Sequence, residues 1–557
     1  MSLSKRPAWR SSLSFFDKHR DYLGRIARPW YSMVYARHSC AAPDPHSPMK
    51  IITVSEMRRL EQESTVPLET LMQTAGENAC AEILRFAENT LSPRHRQRFV
   101  VVAGKGNNGG DALVVAKCLK RQGLCVEVFS TCPLSAYSGT AASQAVDFPL
   151  DIPYTVVAES IPSGVLRLGT VIVDGLLGIG AKGNARGVVA KLILQINASA
   201  LPVCSLDTPS GLDCDEGTGD PVINAALTVT MAFPKAGLFC GKGPEAAGLM
   251  RVVPIGLSDN ADAATDEEME AFTEADAANL LTRRPLESHK NSFGHALCIA
   301  GSAQYPGAPF LAAEAALRGG AGLVTLAVPK GGITRNGPAA LILAGIGEAG
   351  HASFSEADWT PVTPLLERSN ALLYGPGTGS SVEPAFIMKL LEVSKPLVID
   401  ADGIRAVAGD ASLLEQLAAR QAPTLLTPHP GEMAALLKAF ALSNMLSRNE
   451  QARSVARLCN AFVLLKGHNS VAATPSGELA INTSGGPALA TAGTGDVLAG
   501  LMVAFLAQQM PPYDAMRLAA FVHGHAADIA CMAQRSLIAD DLLDLIPRAL
   551  ADLSPWG

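Results

Sequence analysis

From residue 98 onward the chain repeats one pattern. A short run of apolar and β-branched residues is followed by a turn rich in glycine and polar side chains, then by a longer segment whose apolar positions recur at helical spacing. Runs that are apolar at nearly every position predict strands buried on both faces of a parallel sheet, and the segments between them predict the covering helices. In the first half, strands are expected at Arg98–Ala103, Cys125–Ser130, Val171–Asp174, Val203–Asp207 and Leu227–Phe233. In the second they are expected at Ala296–Ala300, Leu323–Val328, Ala371–Tyr374, Leu397–Asp400, Thr424–Thr427, Phe462–Lys466 and Val471–Thr474. The clearest helices are Phe310–Arg318, Gly431–Phe440 and Gly495–Gln509. Between Ser258 and Ala277 the chain turns acidic and loses this periodicity, so 259–274 reads as a solvated linker joining α/β halves at 49–258 and 275–557.

Composition narrows the class. At 557 residues, 48% hydrophobic and 17% charged, the chain is globular and too long for one compact domain. Fifty glycines and few aromatics suit many tight strand-to-helix turns. The net charge of −7 argues against a nucleic-acid partner. Eleven cysteines without a C-x-x-C pair argue against a zinc site or redox dithiol. Cys118, Cys204 and Cys298 sit in apolar runs and read as buried thiols of a reducing, cytoplasmic compartment. The longest apolar stretch, Val497–Ala507, falls short of the roughly 20 residues a bilayer span needs, so no membrane association is expected. Residues 1–48 carry eight Lys/Arg against three Asp, an acid-poor composition that suits a non-folding leader, a transit peptide or an upstream start ahead of Met49.

The chemistry concentrates at predicted strand ends, where doubly wound sheets bind ligands. Ala490-Thr491-Ala492-Gly493-Thr494-Gly495-Asp496-Val497-Leu498 leads two glycines and a threonine into a long apolar helix with an aspartate at the junction. Unpaired N–H groups and the dipole at such a helix start favour an anion. A carboxylate beside that anion is placed to take a proton from a hydroxyl undergoing phosphorylation. Taken singly, Gly-Thr-Gly-Asp is also a good cap. Preceding it, however, are Gly301-Ser302-Ala303-Gln304, Gly375-Pro376-Gly377-Thr378-Gly379, Asp400-Ala401-Asp402-Gly403, Thr427-Pro428-His429-Pro430-Gly431-Glu432 and Lys466-Gly467-His468-Asn469-Ser470, each ending an apolar run. Turn chemistry explains each alone; together they favour one phosphoryl-transfer face.

In the first half, Phe99–Ala103 runs into Gly104-Lys105-Gly106-Asn107-Asn108-Gly109-Gly110-Asp111. This holds G-x-G-x-x-G, but the acid usual at the next strand end of a dinucleotide site is absent. The polar Asn107, Asn108 and Asp111 suit a phosphate plus a cation better. Asp174 and Asp207 close two further strands beside glycine-rich loops, and two such acids favour a site over two turns. Asn108, Asp174 and Ser210 could supply oxygens to a hard cation, which leaves Asp207 as an acid/base. Lys235 could face the pocket or solvent.

N-N-G-G-D, V-D-G-L-L-G-x-G and D-x-P-S-G-L, in this order over residues 49–258, closely resemble the NAD(P)H-hydrate epimerase domain. The resemblance implies a Rossmann-like three-layer αβα fold and a potassium site at Asn108, Asp174 and Ser210. It further implies substrate contacts from Asn107, Asn108, Gly109, Gly110, Asp111, Gly178, Ile179, Gly180, Ala181, Lys182, Gly183, Asn184 and Asp207, with Asp207 handling the proton as C6 of the damaged ring is inverted. Ala112 stands where glycine is common in the family.

From Ala275 onward the motifs resemble the ribokinase-like superfamily. More narrowly, T-P-H-P-G-E, L-K-G-x-x-x-V and A-T-A-G-T-G-D-V-L are similar to the ADP- or ATP-dependent NAD(P)H-hydrate dehydratase. That resemblance implies Asp496 as catalytic base; Ala308, Gly377, His429 and Asp496 as substrate contacts; and Lys466, Gly467, His468, Asn469, Ser470 and Gly495 as nucleotide contacts. Magnesium is expected with ADP or ATP, the substrates are the hydrates NADHX and NADPHX, and a homo-oligomer is expected. The nearest rivals are a ribokinase-like kinase that releases a stable phosphorylated product, and an epimerase-like scaffold that has lost its carboxylates. Asp111, Asp174 and Asp207 argue against the second.

Overall fold

The computed structural model describes residues 49–257, 269–333, 337–530 and 536–554; the leader at 1–48 lies outside them. The first half is built on seven parallel strands in the spatial order Tyr154–Val156, Val126–Ser130, Arg98–Ala103, Thr170–Gly175, Val203–Leu206, Leu227–Met231 and Leu249–Val253. The strand order reverses between Arg98–Ala103 and Thr170–Gly175, and a crevice at their C-terminal ends follows from that reversal. Side chains alternate as the pleat demands: Phe99, Val101 and Ala103 pack into one layer, Val100 and Val102 into the other.

Eleven strands form the second sheet. Its parallel part runs Ile342–Ile346, Leu323–Pro329, His295–Ile299, Ala371–Tyr374, Leu397–Ile399, Thr424–Leu426 and Phe462–Leu465. Val471–Ala473 and Leu479–Asn482 then add antiparallel, and Met269–Phe272 and Met49–Lys50 complete that edge. Here the order reverses between His295–Ile299 and Ala371–Tyr374. All twelve expected strands are present, and the α/β class with two layered halves holds.

The stretch read as a linker is corrected in part. Residues 259–268 lie outside the described set, whereas Met269–Phe272 is a strand within the second sheet and Glu274–Leu280 a helix capped by Thr273. The acidic run hid a four-residue strand too short to show a period. Cys204 and Cys298 are buried as expected, but Cys118 is only half-buried.

The apolar run Val497–Ala507 is a buried helix, Thr494–Ala507, which crosses Ala308–Arg318 so closely that a Cβ on Gly500 would stand 2.1 Å from the Ala312 carbonyl oxygen. Small residues at the crossing therefore set how deeply the Asp496 end is anchored. Among the described residues no helix is long and apolar enough to cross a membrane.

Candidate functional site

The crevice of the first sheet is held shut by glycine. Gly104 N–H donates to the Gly175 carbonyl at 3.0 Å, and a Cβ on Gly104 would lie 1.8 Å from the Leu176 carbonyl oxygen. The helix Asn107–Arg121 starts here with Gly106 as its N-cap, so its first N–H groups face the loop rather than a helical partner. Asn107 is exposed and Asn108 is buried. Gly109 approaches Gly104, and Gly110 sits against Met72. Ala112 fits without strain because its methyl fills the space that glycine at 175 leaves open.

The loop Gly178–Asn184 closes over this helix start. Gly178 lies against Asn108, Gly180 approaches the Arg58 guanidinium, and Ala181 N–H turns back to the Gly178 carbonyl at 3.0 Å. Ile179 is half-buried, while Lys182, Gly183 and Asn184 are exposed, with Lys182 Nζ 3.8 Å from Asp215. The structure thus brings both predicted loops together.

Asp174 is fully buried. Its Oδ1 accepts from Ser210 Oγ at 2.6 Å and Leu176 N–H at 3.2 Å; its Oδ2 accepts from Ser205 Oγ at 2.8 Å and Ser210 N–H at 3.0 Å. Burial pushes its carboxyl upward against these donors. Asn108 Nδ2 donates to the Leu177 carbonyl at 2.7 Å, and its Oδ1 is buried with no partner. An orphaned amide oxygen beside a carboxylate, a serine hydroxyl and a main-chain carbonyl is a donor set that a hard monovalent cation fits.

Asp207 follows the strand Val203–Leu206 at φ +63, a left-handed conformation that aspartate tolerates better than most residues. That turn aims Oδ1 at the Met231 N–H, 3.1 Å away, and at Lys235 Nζ, with which it forms a buried ion pair. Lys235 is fully buried, and its Nζ also donates to the Met231 carbonyl at 2.8 Å and to Thr230 Oγ1 at 3.2 Å. The residue that could have faced solvent faces the site. Two more acids complete the cluster. Burial, then the Asp207 charge, lifts Asp111 well above the ordinary carboxylate range, and the same two causes raise Glu61. Glu61 belongs to the helix Val54–Glu63, remote in sequence from every motif, and nothing local marked it.

The second site is a chain of charges on the C-terminal strand ends. Lys466 Nζ donates to Asp400 Oδ1 at 2.8 Å and stands 3.9 Å from Glu432 Oε2. Asp400 is buried and also accepts from Thr427 Oγ1 at 2.6 Å. Burial opposes the charge on Lys466, but Asp400 and Glu432 overcome it and raise the ammonium. His429 caps the helix Pro430–Ala439 through Nδ1, which accepts the Gly431 N–H at 2.9 Å, while Nε2 lies 3.1 Å from Glu432 Oε1. The ring is thereby fixed in place.

Asp496 stands in the first turn of its helix behind Gly493, whose φ of +89 makes the entry turn. Burial, then Asp400, Asp402 and Glu432, lifts its carboxyl to about 7, against the pull of Lys466. A Cβ on Gly495 would be 3.4 Å from Lys466 Nζ, so the anion-facing helix start and the lysine are adjacent. Gly377 meets Ala308, and the neighbouring Gly379 N–H donates to Asp402 Oδ2 at 2.9 Å. Gly493 abuts Leu311 of the helix that Ala308 begins. Ala308, Gly377, His429 and Asp496 therefore surround one region.

The Lys466–Ser470 loop closes on itself, with Ser470 Oγ donating to the Gly467 carbonyl at 3.0 Å and Asn469 at φ +50. Arg448 clamps it, donating to the carbonyls of His468 at 2.6 Å and Leu465 at 3.3 Å. Arg448 carried no sequence signal, because its role arises from a helix packing behind the loop. His429, Lys466, Gly467, His468, Ser470 and Gly495 all line one cavity of about 1290 Å³.

Fold and sites together define a two-part α/β protein. One half carries a carboxylate–lysine cluster beside a glycine-led helix start; the other carries a lysine–carboxylate chain beside a helix start whose aspartate is raised to about 7. A family model for NAD(P)H-hydrate dehydratase matches residues 296–548, and one for the YjeF-related protein N-terminus matches 68–237. The bifunctional NAD(P)H-hydrate repair enzyme Nnr of Moorella thermoacetica is 35% identical over 521 residues, covering 91% of this chain and 97% of that protein. Its namesake from Salinibacter ruber is 37% identical over 518 residues, covering 88% and 93%. Among solved structures, the ADP/ATP-dependent NAD(P)H-hydrate dehydratase from Bacillus subtilis, co-crystallized with ATP/Mg2+, is 26% identical and covers 51% of this chain and 98% of that one, with a TM-score of 0.39. This chain belongs to the bifunctional NAD(P)H-hydrate repair enzymes.

Proposed function

We propose that the protein repairs hydrated nicotinamide cofactors in two steps. The first half interconverts the R and S hydrates, and the second dehydrates the S hydrate to NAD(P)H while ADP or ATP is consumed. The observation that carries this is the Asp496 carboxyl held at about 7 at the start of the helix Thr494–Ala507. A group titrating there is half ionised at neutral pH and can take a proton from a hydroxyl. The ring hydroxyl of the S hydrate gives its proton to Asp496 as its oxygen takes the terminal phosphoryl group of the nucleotide. The C6–O bond then breaks with phosphate leaving, driven by the lone pair of the ring nitrogen, and loss of the C5 proton restores the dihydropyridine. N–H groups of the Gly493–Gly495 turn receive the charge on the migrating phosphoryl, and Lys466 sits beside them.

Magnesium would neutralise phosphate charge during transfer. Asp400, Asp402 and Glu432, whose combined charge raises Asp496, are the residues that would balance it. In the first half, Asp207 handles the proton as C6 inverts, and Lys235 holds its carboxylate in place. Asn108, Asp174 and Ser210 would hold potassium, an assignment supported by the orphaned Asn108 Oδ1. Asn107–Asp111 and Gly178–Asn184 would contact substrate there. Buried thiols such as Cys204 and Cys298 support a cytoplasmic location, and a homo-oligomer is proposed, which sedimentation tests.

The deciding experiment offers the purified protein NADHX or NADPHX with ADP or ATP. Dihydronicotinamide absorbance should recover with one phosphate released per turnover. Recovery without nucleotide consumption would overturn the phosphorylation step.

A further inference from the structure

The cavity that holds the nucleotide loop is not walled by the second half alone. Its far side is the back of the first half: Arg85 and Phe86 from the helix Leu68–Thr90, and the starts of the strands Leu227–Met231 and Leu249–Val253, with Arg251. The loop itself comes up to that wall, since His468 and Pro244 line the same cavity. At about 1290 Å³ the cavity exceeds what a single drug-sized ligand needs, roughly 300–1,000 Å³. On the opposite wall His523 is 7% exposed, and its Nε2 is buried without a partner. Burial drives that imidazole down to about 4, so it is neutral and offers a hydrogen bond rather than a charge.

Accepting the nucleotide reading above, we infer that the first half completes the nucleotide site. Phe86, Leu249 and the guanidinium groups of Arg85 and Arg251 form the surface against which the adenosine end of ADP or ATP lies, while His523 takes a hydrogen bond from the other side. Phosphates anchored at Gly493–Gly495 leave the nucleoside to extend along the Lys466–Ser470 loop, which ends against this wall. Flat guanidinium planes and an aromatic ring beside an aliphatic strand start suit a purine. A lone buried polar atom in such a cavity calls for a partner that no protein group provides.

The same geometry separates the two reactions. The wall meets Leu227 at the start of its strand, whereas Asp207 contacts Met231 at the end of that strand. At about 3.3 Å per residue the two lie roughly 13 Å apart through a closed sheet. None of Asp111, Asp174 and Asp207 borders the cavity. A substrate leaving the first site therefore emerges on the far edge of the first sheet from the nucleotide.

The test is the full-length Arg85→Ala/Arg251→Ala double variant, with Arg251→Glu as a second. Both residues are solvent-facing, so the fold should persist, and the rate of R/S exchange verifies that the first half is intact. The KM for ADP in dehydration should rise about five- to tenfold, the scale of one or two lost cation contacts, with kcat changed less than twofold and exchange unaltered. Arg251→Glu should raise KM further. A KM within twofold of the parent in both variants would overturn the wall. His523→Ala and 2′-deoxy- or inosine nucleotides, run in parallel, separate the outcomes: a KM that moves with these but not with the arginines leaves the nucleotide site standing and removes only the first half from it. No ADP binding by any form would sink the nucleotide reading itself.

Discussion

Replacing Asp496 by asparagine should abolish one reaction and strengthen the fold. The carboxyl is lifted to about 7 by burial first and by Asp400, Asp402 and Glu432 next. Its folded value lies above its unfolded one, so the group costs nothing while protonated. The penalty grows as pH rises from about 4 to about 7 and is complete above that. At 1.36 kcal/mol for each tenfold change in proton affinity, the full penalty is on the order of 4 kcal/mol. Asparagine keeps the shape and removes the charge. Asp496→Asn should therefore unfold later than the parent at pH 8 by a margin of that order, while at pH 4 the two should match. The same substitution removes the base, so dehydration should fall about 10²- to 10⁴-fold while R/S exchange continues. In the parent, the ionised fraction goes from about one-tenth at pH 6 to about nine-tenths at pH 8, so kcat for dehydration should climb nearly tenfold across that range. Chemical denaturation at the two pH values and a stopped-assay pH profile check each part. A variant no more stable than the parent at pH 8, or one that dehydrates within tenfold of it, would refute the picture of a strained base.

Other substitutions probe the remaining parts. Asp207→Asn leaves Lys235 buried without its partner, and should cost about 3–5 kcal/mol of stability as well as R/S exchange, with dehydration measured separately and retained. Arg448→Ala frees the Lys466–Ser470 loop from its clamp, so ADP affinity measured by calorimetry should weaken about tenfold while R/S exchange is untouched. Gly104→Ala would drive a methyl to 1.8 Å from the Leu176 carbonyl oxygen and should cost about 3 kcal/mol together with exchange activity, read by denaturation and by epimer ratio. Potassium dependence of exchange should disappear in Asn108→Ala, which removes the unpartnered oxygen.

What could be read along the chain was what is local. Strands such as Phe99–Ala103 and Ala296–Ile299 are buried on both faces and therefore apolar throughout. Of the strands that escaped notice, Leu479–Asn482 is buried throughout but is only four residues long and ends in a polar side chain, and three others lack that signature. Tyr154–Val156 and Ile342–Ile346 lie on sheet edges with several residues exposed, and Leu249–Val253 is interrupted by the exposed Arg251. Asp174 and Asp207 stood out as carboxylates at or just after a strand end with a glycine-containing turn close by, and Asp496 as one in a glycine-led helix start, all local arrangements. Glu61, Arg448 and His523 did not. Each sits within a helix of ordinary composition, and only packing brings it to the site. Lys235 was visible but undecided, since no local feature says that the residue after Phe233-Pro234 turns inward to Asp207.

The short segment Met49–Ile52 bears on how such a protein can be divided. Met49 and Lys50 pair with Ala271 and Glu270 at the rim of the second sheet, and two residues later Ile52 bridges to Lys235 in the first half. A gene cut at the acidic seam would yield a downstream product whose Met269–Phe272 strand has lost its outer neighbour, leaving a row of bare amides and carbonyls open to self-association. Splitting the two activities into independent polypeptides would thus require a new cover for that rim.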